Sequence, residues 1–245
     1  MHHSSPHLHE TQAHPWPTVI TGLVLVTVLA VLWDIGSGDM VIMQWIGTSQ
    51  GFPLRSAWLL EAVLHDALRQ ACTLLWVLLT AWALWPARGR LRHARIFAIS
   101  RTERLWVLAL VSLSLLLVGF IKARSTTSCP WDLALFGGQA RYVSHWSLAL
   151  ADGGPGRCFP GGHASSGFGF VALCLPWLLP PAGSARAPAP GWRWLALIVS
   201  TGLVAGTVQT LRGAHYPSHT LWTLVICGAV SITGWRLAQR WWLRG

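Results

Sequence analysis

Three short polar clusters interrupt an otherwise apolar chain. The first reads Lys122-Ala-Arg124-Ser-Thr-Thr-Ser-Cys129-Pro130-Trp131-Asp132 and the second Cys158-Phe-Pro160-Gly161-Gly162-His163-Ala-Ser165-Ser166. The third reads Arg212-Gly213-Ala-His215-Tyr216-Pro217-Ser218-His219. Their residue types suit phosphoryl transfer, which needs cations for the phosphate oxygens, a nucleophile, and an acid for the leaving group. Lys122, Arg124 and Arg212 are the candidate cations, arginine being shaped for bidentate phosphate contact. Gly161 and Gly162, just ahead of an expected helix, would turn backbone N–H groups toward an anion. His163 and His215 are the candidate nucleophile and acid. No acidic cluster suited to a metal accompanies them, so a route without metal or cofactor is expected.

Taken singly, each residue has an ordinary reading: interfacial histidines satisfied by backbone groups, or a lysine snorkelling from a helix end. The elements that carry the clusters decide whether they meet. Only 11% of residues are charged, 53% are hydrophobic and 17 are Trp, with a mean hydropathy of +0.46. A water-soluble surface needs roughly a quarter of residues charged, so much of this surface must face lipid. Six apolar runs approach the about 20 residues that a bilayer crossing needs: Trp16–Trp33, Leu68–Trp85, Leu105–Ile121, Ala164–Leu179, Trp194–Thr210 and Ser218–Trp235. Tryptophans at many of their ends fit an interfacial belt. The expected fold is an all-α integral membrane protein, six transmembrane helices in one bundle over residues 16–245, preceded by a His-rich flexible tail, 1–15. That tail (His2, His3, His7, His9, His14) lacks Lys and Arg, and no small-x-small site follows the first run, so the run reads as an uncleaved anchor.

The net charge of +10 could suggest nucleic acid, but the basic residues flank apolar runs and form no continuous basic face, so none is expected as a partner. They instead signal topology. Arg88, Arg90, Arg92, Arg95, Arg101 and Arg104 mark loop 86–104 as cytoplasmic. Alternation then puts Arg186, Arg193, Arg236, Arg240, Arg244 and both termini inside, and segments 34–67, 122–163 and 211–217 outside. All three polar clusters therefore fall at the outer face. Cys129 and Cys158 are the cysteines of the outward loops, whereas Cys72, Cys174 and Cys227 lie in apolar runs; an oxidising compartment favours a Cys129–Cys158 disulfide. Segment 52–67 reads either as an amphipathic helix on the outer interface or as an outward extension of the second run.

Together the clusters resemble the signature of the type 2 phosphatidic acid phosphatase superfamily, which includes bacterial membrane lipid phosphatases and soluble acid phosphatases. Its pattern is Lys-x6-Arg-Pro, then Pro-Ser-Gly-His, then Ser-Arg-x5-His-x3-Asp. Lys122 and Pro130 fit the first element, Pro160, Gly162 and His163 the second with Gly161 for Ser, and His215 the third. The resemblance implies that His215 forms a phosphohistidine, that His163 protonates the leaving alkoxide and later activates water, and that Lys122 and the Gly162 backbone hold the phosphoryl oxygens. Cys129, Gln209 and His219 stand where the pattern has Arg, Arg and Asp. Arg212 and Arg124 are candidate replacements for the guanidinium groups. His219, one turn after His215, is the candidate partner of that ring. Asp66 in His65-Asp66-x-x-Arg69 is a second candidate orienter, with Arg69 as possible support.

The expected activity is hydrolysis of a lipid phosphomonoester or pyrophosphate at the periplasmic face of a bacterial inner membrane, with the bilayer and a membrane lipid phosphate as partners. One alternative is phosphotransfer from undecaprenyl pyrophosphate to another lipid such as lipid A. The other is an inactive lipid-binding or transport protein.

Overall fold

The computed structural model of the chain describes residues 16–86, 99–147, 150–184 and 186–241. The expected tail 1–15, together with Arg88, Arg90, Arg92, Arg95 and Arg244, lies outside the described residues. Among those described, all named elements are helical. Helix α1 (Trp16–Ile35) is followed by the short α2 (Gly38–Ile46). A π-helical stretch (Leu59–Ala67) runs straight into α3 (Leu68–Leu84), and α4 covers Arg101–Arg124. After a long connection come the single turns α5 (Ser165–Phe168) and α6 (Leu175–Leu178), then α7 (Ala189–Leu211) and α8 (Pro217–Trp241).

Among the described residues, five helices are long and apolar enough to cross a membrane: α1, the π stretch with α3, α4, α7 and α8. Their outward faces are apolar. Helix α1 buries only Ala30, while Val24, Leu25, Leu29 and Leu32 are exposed. A helix on a water-soluble core shows a polar outer face; here the outer face has the composition of a helix solvated by lipid.

The fourth apolar run departs from expectation. Over Ser165–Leu178 it is a turn of α-helix, a 3-10 turn (Val171–Cys174) and another turn of α-helix. As α-helix it would rise about 21 Å, short of the roughly 30 Å hydrocarbon core. Its position explains the breaks. A Cβ on Gly167 would lie 2.3 Å from the backbone nitrogen of Gly202 in α7, so the two backbones touch. Pro176 removes a donor from the following turn. Phe168, Phe170, Val171, Leu175, Leu178 and Leu179 are all buried, which makes this segment the centre of the bundle. Around it, α8 packs on α4, α1 and α7.

Local chemistry fixes the end of the bundle where α3 meets α4. Ser100 Oγ accepts from the Glu103 N–H (3.2 Å) and Glu103 Oε2 accepts from the Ser100 N–H (2.8 Å), a reciprocal cap that starts α4. Buried Glu103 also takes both guanidinium nitrogens of Arg186, and Arg104 donates to the Trp82 and Trp85 carbonyls, joining α4 to α3. At the other end, segment 52–67 extends α3 outward and is not a separate interfacial helix. Above it, Met43, Phe52, Leu133, Phe136 and Tyr216 pack a small apolar cap. Asp152 ties the cap loop together by accepting from the Ser128 N–H (2.5 Å), Ser128 Oγ (2.9 Å) and Gly154 N–H (2.9 Å). The expected Cys129–Cys158 disulfide is present, with Cα atoms 5.1 Å apart.

Candidate active site

Helical periodicity delivers Lys122. Val107, Val111, Ser114 and Val118 form the buried stripe of α4, and Lys122 continues it one turn on. Its Nζ lies 3.4 Å from His215 Nε2. Arg124, two residues further, points the other way: it is exposed, with its guanidinium 4.4 Å from the Phe120 ring centroid. The expectation that Arg124 holds phosphate is not supported by this placement, because two residues along an α-helix turn a side chain about 200°.

His215 sits on the turn between α7 and α8. The Gln209 carbonyl accepts from the N–H groups of Ala214 (2.8 Å) and His215 (3.3 Å), closing α7. Gly213 has φ +72°, and a Cβ there would fall 2.2 Å from the Phe52 ring, so both backbone shape and space require glycine. On the far side, Asp39 Oδ1 accepts from the Ser218 N–H (2.9 Å) and Oδ2 from Ser218 Oγ (2.5 Å), capping α8. Trp33 Nε1 donates to the same carboxylate (2.9 Å). Asp39 was not among the candidates from the sequence. A carboxylate between Gly36-Ser37-Gly38 and the apolar Met40–Met43 was the available signal.

Around the His215 ring, the nitrogen opposite Lys122 is enclosed. Nδ1 lies 3.4 Å from His219 Nδ1 and 3.6 Å from Cys158 Sγ. His219 thus occupies the place expected of the missing carboxylate, and its Nε2 is buried with no hydrogen-bond partner. Asp66 does not reach this ring: its carboxylate is 2.9 Å from His65 Nδ1, so the expectation that it orients His215 is corrected.

The second cluster is locked onto α8. The Gly161 N–H donates to the His219 carbonyl (3.3 Å) and Thr223 Oγ1 donates to the Gly161 carbonyl (3.2 Å). That N–H is therefore occupied, and the helix that follows is one turn long and begins at Ser165. Of the two glycine N–H groups expected to face an anion, that of Gly161 is thus turned to α8. Gly162 instead leaves room for the Lys122 stem, whose Cδ would lie 3.4 Å from an added Cβ. The His163 ring stacks on His65, with centroids 4.0 Å apart and planes inclined by 32°. Arg212 is buried, donating from Nε to the Arg55 carbonyl (2.9 Å) and from Nη2 to Glu61 Oε1 (2.9 Å).

Electrostatics follow from this crowding of cations. Burial pushes His163 down to about 4, assisted by His65, Lys122, Arg212 and Arg69. Burial also holds His215 well below the usual histidine range, with Lys122, His219 and His163 adding to it against a hydrogen bond from the ring to the Cys158 backbone carbonyl. Both rings are neutral in the free protein at neutral pH. Among the described residues, Cys129, Cys158 and His215 are close enough to suggest metal ligands, but the two sulfurs are bonded to each other and offer no thiolate.

The structure therefore brings Lys122, His163, His215, His219, Gly162, Arg212 and Arg69 together and leaves Arg124 outside. It also adds His65, which the sequence reading passed over. The assembly offers a neutral imidazole nitrogen beside an ammonium, a second imidazole, and unbalanced positive charge, all suited to a phosphate ester.

Comparison with curated proteins and with solved structures finds no match. The profile of the PAP2 superfamily matches residues 103–243. That match spans more than half of the chain and contains Lys122, His163 and His215, and the chain belongs to the PAP2 superfamily of phosphatases.

Proposed function

We propose that this chain is a membrane lipid-phosphate phosphatase that works through a phosphohistidine on His215. The observation that carries the reading is the 3.4 Å approach of Lys122 Nζ to His215 Nε2 at a site that also holds His163. A phosphoryl group drawn to Lys122 is presented to that nitrogen. For Nε2 to attack, the proton must reside on Nδ1, which faces His219 and Cys158. The Nε2–P bond forms as the P–O bond to the lipid breaks, and the His163 proton goes to the departing oxygen. His163 then takes a proton from water, which attacks phosphorus and releases phosphate from Nε2.

The neutral state of His163 in the free protein fits this cycle. Its depression comes partly from cations, and a phosphate dianion among them favours the imidazolium. Substrate thus brings the condition under which its own leaving group can be protonated. The substrate is a phosphomonoester or pyrophosphate of a lipid whose tail stays in the bilayer. On this reading the protein crosses a bacterial inner membrane six times, with the broken central segment as the shortest crossing. Termini face the cytoplasm and the site faces the periplasm, as the arginine distribution indicates.

Purified protein incubated with labelled lipid pyrophosphate, with and without lipid A, tests the proposal. Free phosphate, an acid-labile labelled protein, and loss of both in His215→Ala are expected. Label on lipid A identifies a transferase instead. If neither product forms and His215→Ala matches the wild type, the chain is a binding protein that has lost the reaction, in keeping with Cys129 and Gln209 at the motif arginine positions.

A further inference from the structure

The π-helical stretch Leu59–Ala67 is the least explained element of the fold. Such i→i+5 winding is rare and recurs at functional sites, and here it persists for nine residues. Its polar contacts identify what it serves. Glu61 pairs with Arg212 at 2.9 Å, next to the third cluster. His65 stacks on His163 at 4.0 Å, in the second. Asp66 holds His65 by its Nδ1 at 2.9 Å. Neither His65 nor Asp66 matches any of the three motif elements.

The rings lie over one another, inclined by 32°, so the contact is a stack and not a hydrogen bond between ring nitrogens. His65 can act on His163 in two ways. It fixes the plane in which the ring nitrogens lie, and when protonated it places a positive charge against the ring face. The other groups that face or influence His163 are Lys122 from α4, Arg69 from α3, and Arg212 and His215 from the α7–α8 turn. All of these are cationic or imidazole, and Asp66 and Glu61 are engaged by His65 and Arg212. Lys122 has a place on the phosphoryl side of the proposed reaction and Arg212 is held by Arg55 and Glu61, whereas His65 lies against the ring of the proposed acid.

We propose that His65, held by Asp66, is a positioning residue for His163, setting the ring plane and acid strength with which His163 protonates the leaving group. The role rests on the phosphatase reading and adds a residue that the motif pattern lacks.

Two substrates of equal chain length, dodecyl phosphate and dodecylphenyl phosphate, separate the possibilities. The alkoxide leaving group requires an acid; the phenolate, of pKa about 10, requires much less. His65→Ala is expected to lower kcat/KM for dodecyl phosphate by roughly 100-fold and for the phenyl ester by less than about 10-fold. His65→Phe, which keeps a ring in the stack, is expected to recover much of the alkyl activity. In the free protein it should also raise the His163 titration midpoint by roughly half a unit or more, because a neighbouring cation is gone. That midpoint is read by NMR of labelled histidine and does not depend on turnover. Equal losses on both esters, or no loss on either, together with an unmoved midpoint, overturn the proposal while leaving the phosphatase intact. If the wild type hydrolyses neither ester, the phosphatase reading fails and this role fails with it.

Discussion

His215 presents its reactive nitrogen and its supports on opposite edges of one ring, with Lys122 before it and His219 and Cys158 behind. Where the superfamily pattern has a carboxylate, this chain has a second imidazole, which brings no negative charge to offset a positive one on His215. The consequence is a nucleophile that stays unprotonated in acid, since burial and the adjacent ammonium both oppose its charged form. His163 is pushed the same way, to about 4. In the free protein, NMR of labelled histidines should therefore show neither ring titrating between roughly pH 5.5 and 8, where an unperturbed histidine has its midpoint. Adding orthovanadate should raise the His163 midpoint, because the anion's charge offsets Lys122 and Arg212. By linkage, vanadate should bind more tightly as the pH falls. A midpoint near 6.5 in the free protein, for either ring, contradicts the crowding of cations described for the site.

At the scale of elements, the α7–α8 turn that carries His215 is held from outside. Gln209 closes the helix before it, Asp39 caps the helix after it, and Phe52 fills the space over Gly213. Gly213→Ala must find room 2.2 Å from the Phe52 ring in a left-handed backbone. A loss of about 1–3 kcal/mol is expected, seen as a lower Tm, and phosphate release should fall by more than that stability change alone implies. Unchanged activity would separate the turn from catalysis. Parts of this arrangement were legible beforehand: the three clusters, their meeting at one end of the bundle and Lys122 at the end of an apolar run. Asp39 and His65 were not. They belong to no periodic pattern, and their importance arises from partners 179 and 98 residues away, Ser218 and His163. Arg124 was a candidate because it is a cation of the first cluster, and membership of a cluster carries no information about which side of a helix a residue faces.

Across the whole molecule, apolar length identified five long helices, and the fourth run differed for a reason that hydropathy does not measure. Gly167, Gly202 and Pro176 set how closely two segments approach and where a helix stops, not how apolar they are. The Cys129–Cys158 bridge was legible because only those two cysteines fall in polar segments. It joins the first cluster to the second, and Cys158 touches His215. Reduction, or a Cys129→Ser/Cys158→Ser double variant, should lower stability by about 3 kcal/mol and lower phosphate release at temperatures where the protein stays folded. Full activity in the double variant would leave the bridge a purely structural clip. If the proposed orientation holds, the bridge also sets when the protein begins to work. A newly inserted chain carries two thiols and a less firmly held His215, so it should release phosphate more slowly until the bridge closes. The rate at which activity matures would then follow the thiol chemistry of the compartment that the site faces.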